Sequence, residues 1–394
     1  MIRFRYQVAA ATLFLLFASA TLPSPLYELY RRDWGITPAT ISLIFAIYVS
    51  SLIPSLVLFG RISDVWGRRR TMLVGIAIAI IASLVFAYAP DVGWLIAARI
   101  VQGFSMGLAT GAATAALVDW SPPAVRARSG VIATVAISGG SGFGPLVGGI
   151  FGQFAPWPHV LAYLVLALLL VGVGIALMAL PSDAPALEPG VARPAPRALI
   201  GVPASMRGTF ALAAAESFLG WASFALYLSL VPSYLATLLG VHNLLVGALV
   251  IACIQIAGIA ASLRFGGLPI PTMIAVAMSA LAIGLGLVVV AVPLHALALV
   301  AASALTVGVG GGLAFVAGLT LINRYSPQER RGEVMSAYYI ANYLGFSIPS
   351  FIVGSAATAF GFFPAFCGAA VVIGTAAFTV ASIALQKKVR PLEA

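Results

Sequence analysis

The sequence predicts an all-α polytopic membrane protein, with twelve transmembrane helices arranged as two six-helix bundles around a central cavity. The first observation is composition, because 61% of the 394 residues are hydrophobic and the mean hydropathy is +1.08. A soluble domain is about 45–50% apolar. The second observation is that this excess extends along the whole chain, which excludes a soluble domain with one anchor. The third is a weak internal repeat.

Twelve apolar segments are each long enough to cross a bilayer. A transmembrane helix needs about 20 apolar residues to span a hydrocarbon core of about 30 Å. Backbone groups in lipid must bond internally, so these segments are predicted as helices, and the short period-two pattern of a β-barrel does not occur. The predicted spans are residues 7–30, 38–59, 71–90, 93–118, 127–153, 159–180, 209–235, 243–263, 272–292, 295–322, 334–357 and 363–385.

The basic residues predict the orientation of the chain. With the N-terminus inside, all but three of the 21 Lys and Arg residues fall on inner segments, the exceptions being Arg31, Arg32 and Arg99. The net charge of +10 is thus an orientation signal and excludes nucleic acid as a partner. We predict that both termini are cytoplasmic. Residues 1–20 resemble a cleavable signal peptide, but we expect a retained first helix, since the repeat needs six helices in each half.

A proline-rich stretch divides the chain near its middle. Residues 181–206 carry six prolines without periodicity, which is typical of a flexible linker. We predict an N-terminal bundle over residues 1–180, a cytoplasmic linker over 181–207 and a C-terminal bundle over 208–394. Matching features recur at offsets of 205, 201 and 204 residues: Ser121-Pro122 and Ser326-Pro327, Thr71-Met72 and Thr272-Met273, Pro145 and Pro349. Two parallel repeats place the cavity between them.

The stretch GRISDVWGRRR, residues 60–70, carries five charged residues in a chain with only 8% charged residues. It separates two apolar spans, so we predict a tight loop on the inner face. Two glycines allow a sharp turn and close helix approach. One acid among four arginines can pair locally or cap a helix. The alternative is a basic anchor that sets orientation alone.

This loop resembles the signature loop between the second and third helices of the major facilitator superfamily, and the helix count, 6+6 repeat and central linker extend the resemblance over essentially the whole chain. Five residues occupy the positions that the pattern requires: Gly60, Asp64, Gly67, Arg68 and Arg69. The resemblance implies a gating latch, in which Asp64 contacts the start of the eleventh helix and the loop arginines reach Asp119 at the end of the fourth. The alternative for Asp119 is a solvated surface acid.

Two further motifs resemble the drug:proton antiporter branch of that superfamily. LIAARIVQG, residues 95–103, resembles the fourth-helix motif with Arg99, Gln102 and Gly103. GSGFGPLVGG resembles the fifth-helix antiporter motif, with Gly140, Gly144, Pro145, Gly148 and Gly149. The wider pattern has a further glycine at position 131, where this chain has Val131. The resemblance implies antiport, with Arg99 in proton coupling and the fifth helix in closure of the cavity.

Physical reasoning leaves two interpretations for each of these motifs. Glycine within a helix costs about 1 kcal/mol relative to alanine, and proline can kink a helix. The glycine cluster therefore either serves close helix packing alone or forms a bend that governs closure. A buried arginine is normally paired or exposed to water. Arg99 therefore either faces the cavity or extends to the outer interface.

Glu216 is the only acid placed well inside a predicted span, about 13 Å of helix rise from Arg207. Burial disfavours the charged form of a carboxyl group, so Glu216 is the candidate proton carrier. The same helical face carries Gly220, Ser223 and Tyr227, which predicts that it lines the cavity. The alternative is a neutral acid that is hydrogen-bonded within the bundle. Glu28 is a substitute candidate, expected at the outer interface.

A substrate cavity needs apolar and aromatic walls with a few polar anchors. The predicted cavity residues are Tyr27, Tyr30, Gln102, Trp221, Phe224, Tyr227, Gln255, Tyr338, Tyr339, Asn342 and Tyr343. Asn342 is the strongest of these, because an amide that faces lipid is costly. Few fixed charges line such a cavity, which favours a hydrophobic, neutral or cationic solute over a multiply charged anion.

These observations predict a proton-coupled antiporter that exports small hydrophobic molecules by alternating access, functional as a monomer in a bacterial inner membrane. The energy is expected from the proton gradient and no cofactor is expected, because the sequence has no GxxxxGK[ST] phosphate loop. An uptake permease or facilitator for a small metabolite is the alternative. An enzyme is disfavoured, since the three histidines and two cysteines are scattered and give no metal-ligand spacing.

Overall fold

The computed structural model describes residues 2–59, 62–126, 128–181 and 200–386. Gly60 and Arg61 of the signature loop, most of the predicted linker and residues 387–394 lie outside the described residues. The described helices are α1 (Ile2–Thr21), α2 (Pro23–Trp34), α3 (Pro38–Phe59), α4 (Ile62–Trp66), α5 (Arg68–Ala87), α6 (Val92–Asp119), α7 (Pro123–Arg126), α8 (Ser129–Phe154), α9 (Leu161–Met178), α10 (Arg207–Ser229), α11 (Val231–Leu239), α12 (Leu244–Phe265), α13 (Ile270–Val290), α14 (Leu297–Tyr325), α15 (Arg331–Phe360) and α16 (Phe362–Gln386).

Twelve stretches of the described chain are long and apolar enough to cross a membrane, and no strand occurs among the described residues. The all-α membrane fold is therefore confirmed. The predicted spans agree with these stretches to within a few residues, and the predicted span 38–59 coincides with α3. The agreement follows from hydropathy, which fixes where a chain can remain in lipid.

Two of the predicted spans are broken in the structure. The first divides at Leu22 into α1 and α2, because Pro23 and Pro25 lack the backbone N–H that a continuous helix requires. The seventh divides at Leu230 into α10 and α11, where Pro232 occupies the first turn of the second piece. Each break leaves main-chain carbonyl groups that need other donors.

The chain forms two compact units. The first comprises Met1–Tyr30 with Ile44–Ala195, and the second comprises Arg31–Leu43 with Pro196–Ala394. The predicted N-terminal bundle also included residues 31–43. In the structure, residues 31–43 contact α15. The N–H of Ala39 lies in the first turn of α3, where it has no intrahelical acceptor, and it donates to Thr358 Oγ1 at 2.8 Å. Ser42 lies against Gly354 of the same helix.

The internal repeat is visible in the packing of each unit. In the first unit, α6 packs on α3 through Gly103 and Gly107, where a Cβ would overlap backbone atoms of α3. In the second unit, α14 packs on α12 through Gly308 and Gly312 in the same manner. The two glycine pairs are 205 residues apart, close to the offsets found in the sequence. Both units thus use small residues to bring helix backbones together, as expected in lipid.

Candidate functional site

Arg99 lies in α6 and is buried inside the first unit, with 1% of its surface exposed. Its guanidinium donates to the Tyr27 hydroxyl from Nε at 2.8 Å and from Nη2, and Nη1 donates to Gln102 Oε1 at 2.5 Å. Four aromatic rings lie within 5.9 Å of the guanidinium carbon: Tyr27, Phe45, Tyr48 and Phe86. Neutral oxygens and ring faces therefore hold this charge within the unit, and the outer-interface interpretation is wrong.

The Arg99 site also clamps the break between α1 and α2. In a continuous helix the carbonyl oxygen of Ser19 would accept from residue 23, but Pro23 has no N–H. Gln102 Nε2 donates to that oxygen at 2.7 Å, and Arg99 Nη1 donates to the carbonyl oxygen of Ala20 at 2.7 Å. Two side chains one turn apart on α6 thus supply donors to the backbone of the broken helix, which satisfies carbonyl groups that would otherwise be buried without a partner.

Three sequence-based expectations change at this point. Tyr27 and Gln102 were predicted as cavity residues, but both are directed at Arg99, because a buried guanidinium requires acceptors on all sides. Glu28 was expected at the outer interface and is buried, because α2 continues inside the first unit as far as Tyr30. The fourth-helix motif and the end of α1 are therefore one structural site.

The glycines of the antiporter motif form a ladder on α8 that contacts α1. A Cβ at Gly140, Gly144 or Gly148 would lie within van der Waals overlap of the carbonyl oxygens of Phe14, Ala18 and Leu22, respectively. Both series advance by four residues, so the contact follows one face of each helix. Pro145 and Gly149 are buried on the same helix. The packing interpretation is thus present in the structure, and the ladder reaches the break at Leu22.

The signature loop forms polar contacts around Arg68 in the first unit. Arg68 Nη1 donates to Asp64 Oδ1 and to Ser63 Oγ, both at 2.5 Å, and Arg68 Nε donates to Asp119 Oδ2 at 3.3 Å. The predicted contact between a loop arginine and the acid that ends α6 is therefore present. Gly67 has a φ of +86°, a conformation that side-chain-bearing residues rarely adopt, which explains a glycine between α4 and α5.

Arg69 bonds to the end of α9, whereas the resemblance implied that the loop arginines reach Asp119. Its Nε and Nη2 donate to the carbonyl oxygens of Leu177 and Met178 at 2.7 and 2.6 Å. These are the last residues of α9, whose final carbonyl groups have no intrahelical donor. A cation at a helix C-terminus also complements the helix dipole. Arg69 therefore caps a helix within its own unit.

In the second unit, Glu216 of α10 is completely buried. Neither carboxylate oxygen has a hydrogen-bond partner among the described residues, and none of the ion pairs found among them involves Glu216. The alternative of an acid hydrogen-bonded within the bundle is therefore not what the structure shows. Tyr338 of α15 lies nearby, and its hydroxyl donates to Ser217 at 2.9 Å. Asn342, one turn along α15, is also buried with both amide atoms unpartnered.

Aromatic rings from α10, α14 and α15 cluster within the second unit. Trp221 of α10 lies 5.5 Å from Phe346, 6.0 Å from Tyr343 and 6.3 Å from Phe315, measured between ring centroids. Phe224 lies 6.2 Å from Phe346. We call these five residues the Trp221 cluster. Most of its rings are only partly buried, as a site for an apolar solute requires.

The remaining predicted cavity residues differ in their surroundings. Tyr227 is fully buried, and its hydroxyl is hydrogen-bonded to Ser303, so the structure gives it a packing role. Ser223 bonds to the carbonyl of Leu219 in its own helix. The face of α10 that continues from Glu216 therefore packs inside the unit, because its polar side chains find acceptors there. Gln255 is half-buried in α12.

Two residues beside Glu216 were missed by sequence reasoning. Ser217 follows Glu216 directly and was overlooked because a serine in a helix usually bonds to its own backbone. Gly318 of α14 is the second, because a Cβ at this position would meet both Glu216 and Tyr338. It is one of several glycines in α14, and nothing in the sequence distinguishes it from the others.

Both units of this helical membrane fold thus hold buried polar side chains, Arg99 and Gln102 in the first and Glu216 and Asn342 in the second. Residues 9–350 match the family model described as Major Facilitator Superfamily. The chain belongs to the Major Facilitator Superfamily and is an integral membrane protein.

Curated relatives match shorter stretches of the chain. The cephamycin export protein CmcT of Amycolatopsis lactamdurans is 33% identical over 132 residues, covering 33% of this chain and 27% of the relative. The probable metabolite transport protein CsbC of Bacillus subtilis is 29% identical over 148 residues, covering 38% and 32%. The quinolone resistance protein NorA of Staphylococcus aureus is 24% identical over 141 residues, covering 36% of each. The alignments thus span about a quarter to a third of these relatives.

Solved structures of low sequence identity share the whole fold. The nucleoside transporter NupG, solved as a variant, aligns with a TM-score of 0.78 at 12% identity and covers 98% of this chain and 99% of its own. A bacterial homologue of the human lysosomal transporter Spinster aligns with a TM-score of 0.74 at 15% identity, covering 98% of each chain. At this identity the likeness concerns the fold alone.

Proposed function

We propose that this transporter is a proton-coupled antiporter that exports small, mostly hydrophobic, neutral or cationic molecules by alternating access. The bacterial cytoplasmic membrane is its proposed location, with both termini on the cytoplasmic side and a functional monomer. The observation that carries the proposal is the state of Glu216. A fully buried carboxyl group without a hydrogen-bond partner or a cation is stable only when it is neutral, so a conformational change that exposes it to water releases a proton.

Arg99 has a different part in this proposal. A guanidinium keeps its charge in proteins, so Arg99 does not itself carry the exchanged proton. It holds the broken end of α1, and α8 packs on the same helix through the glycine ladder. We propose that Arg99 links the position of α1 to that of α8, the helix that carries the antiporter motif.

The proposed substrate contacts are the Trp221 cluster and Asn342. Partly buried rings bind apolar or aromatic solutes through surface contact and bind cations through their faces. The amide of Asn342, without a partner among the described residues, offers two N–H donors and one acceptor oxygen to a solute. The names of several relatives support export of drug-like molecules, since they describe cephamycin export, puromycin resistance and quinolone resistance.

The proposed gate is the set of contacts around Arg68. Asp64 and Asp119 bond to one guanidinium, so a movement of α4 relative to α6 must break a charge-assisted hydrogen bond. The gate is partly exposed, so its effect on the balance between the inward-facing and outward-facing states is expected to weaken at high salt.

The test is transport by the purified full-length chain in liposomes, with a substrate identified by a thermal-shift screen of drugs and metabolites. Addition of substrate is expected to move protons across the membrane in the opposite direction. Glu216→Gln should abolish proton movement but keep substrate binding, whereas Glu329→Gln, at an exposed acid, should behave as the wild type. Unchanged proton exchange in Glu216→Gln contradicts the assignment of Glu216.

Uptake of a metabolite is the second candidate function, because the relatives include a probable metabolite transport protein. The direction of transport distinguishes the two. Substrate accumulation driven by protons that move in the same direction would favour uptake over export. Downhill substrate flux without proton movement would favour a facilitator.

A further inference from the structure

The surroundings of Glu216 contain more oxygen atoms than a bound proton needs. A Cβ placed on Gly318 of α14 would lie 2.5 Å from the Tyr338 hydroxyl, 3.1 Å from Glu216 Oε1 and 3.2 Å from the Ala213 carbonyl oxygen. Oxygens from α10 and α15 therefore converge on one point of α14. We call this group, with Ser217 and Asn342, the Gly318 cluster.

Several atoms of the Gly318 cluster have unused bonding capacity. Both oxygens of Glu216 and both amide atoms of Asn342 lack partners in the part of the chain that the structure describes, although each side chain is fully buried. The Tyr338 hydroxyl donates to Ser217, which leaves its lone pairs available as acceptors. Asn342 lies one turn from Tyr338 on α15, and the Tyr338 hydroxyl and Glu216 Oε1 both approach Gly318. Buried polar groups in proteins are normally satisfied, so such a group indicates a ligand.

The chemistry of these atoms favours a metal cation of single charge. Carboxylate, hydroxyl, amide and carbonyl oxygens are the ligands of hard cations, whereas a protonated carboxyl group needs only one acceptor. The cluster contains one acid, and the side chain that α15 places against Gly318 beside it is the hydroxyl of Tyr338, which carries no formal charge. One monovalent cation thus neutralises the carboxylate, whereas a divalent ion would leave a buried positive charge.

We propose that the Gly318 cluster binds one sodium ion, in competition with the proton on the Glu216 carboxylate. The competition rests on the proposed proton exchange at Glu216, whereas the sodium site rests on the oxygen atoms alone. Sodium and proton occupy the same negative charge, so sodium affinity falls as the pH falls, approaching about tenfold per pH unit where the proton dominates. The transporter then responds to sodium as well as to pH.

The test is binding of ²²Na⁺ to the purified full-length chain in detergent, with choline as the replacement cation and potassium as the competitor. Wild-type protein should bind close to one sodium ion, more tightly at higher pH. Glu216→Gln should abolish binding, and Tyr338→Phe should weaken it by about tenfold or more. Gly318→Ala adds a methyl group among the oxygens and should also abolish binding.

Gly311→Ala provides the matched control on the same helix. A Cβ there meets nothing closer than 4.0 Å, so this variant should bind sodium as the wild type does. Absence of saturable sodium binding in a folded wild-type protein overturns the proposal, as does equal loss in Gly318→Ala and Gly311→Ala. Proton exchange that depends on Glu216 without sodium binding refutes only the sodium site. Sodium binding without proton exchange refutes only the antiport function.

Discussion

Replacement of Gly144 by alanine tests whether the glycine ladder on α8 is a tight packing contact. The new Cβ would overlap the carbonyl oxygen of Ala18 and lie 2.6 Å from Thr21 Oγ1. The first of these atoms belongs to the backbone of α1, so a side-chain rotation cannot relieve the overlap. The two helices must therefore separate locally, and the contact beside the helix break is weakened.

The magnitude follows from two opposing effects. Insertion of an extra methyl group into a packed interface costs about 1–3 kcal/mol. Alanine regains about 1 kcal/mol of helix propensity relative to glycine. Gly172→Ala, in the interior of α9, has the same propensity gain with no atom within 4 Å of the new Cβ. The free energy of unfolding of Gly144→Ala should thus be about 1–3 kcal/mol lower than that of Gly172→Ala.

The assay is denaturant-induced unfolding of both variants in the same detergent, followed by transport in liposomes. Equal unfolding free energies for Gly144→Ala and Gly172→Ala would falsify the tight α1–α8 contact. A stable Gly144→Ala protein without transport would instead favour a bend that governs closure. A destabilised protein with proportionate loss of transport supports packing as the main role of this glycine.

Three further predictions concern contacts outside the ladder. Gln102→Leu should lower the free energy of unfolding by about 1–3 kcal/mol, because it leaves a buried carbonyl without a donor; Gln255→Leu, half-buried, should cost less in the same unfolding assay. Arg69→Ala should lower the melting temperature more than Arg70→Ala, since only the former caps α9; equal melting temperatures would contradict the cap. Tyr227→Phe should lower the free energy of unfolding by about 1 kcal/mol and leave transport unchanged. A selective loss of substrate affinity in this variant would instead show that Tyr227 binds substrate.

The sequence predicted the elements better than their partners. The twelve spans follow from hydropathy, a property of each segment alone, and α3 was predicted to the residue. The breaks at Leu22 and Leu230 had visible causes in Pro23 and Pro232, but a proline in a membrane helix does not reveal whether the helix kinks or divides.

Side-chain partners could be predicted only where a motif relates distant segments. The contact of Arg68 with Asp119 was expected from the family resemblance, since spacing alone does not connect α5 with α6. The capping of α9 by Arg69 was missed, because its acceptors are backbone atoms that every residue has. Gly318 was missed for a related reason, because its role depends on side chains from two other helices.

The clamp at the break of α1 recognises backbone atoms and not side chains. The donors of Arg99 and Gln102 contact carbonyl oxygens of residues 19 and 20, which are present whatever amino acids occupy those positions. Related sequences are therefore free to vary at these two positions, while the proline at position 23 and the two donors on α6 are constrained together. Covariation with the two donors of α6 should accordingly appear at Pro23, the first residue of α2, and not at residues 19 and 20, whose carbonyl oxygens the donors contact.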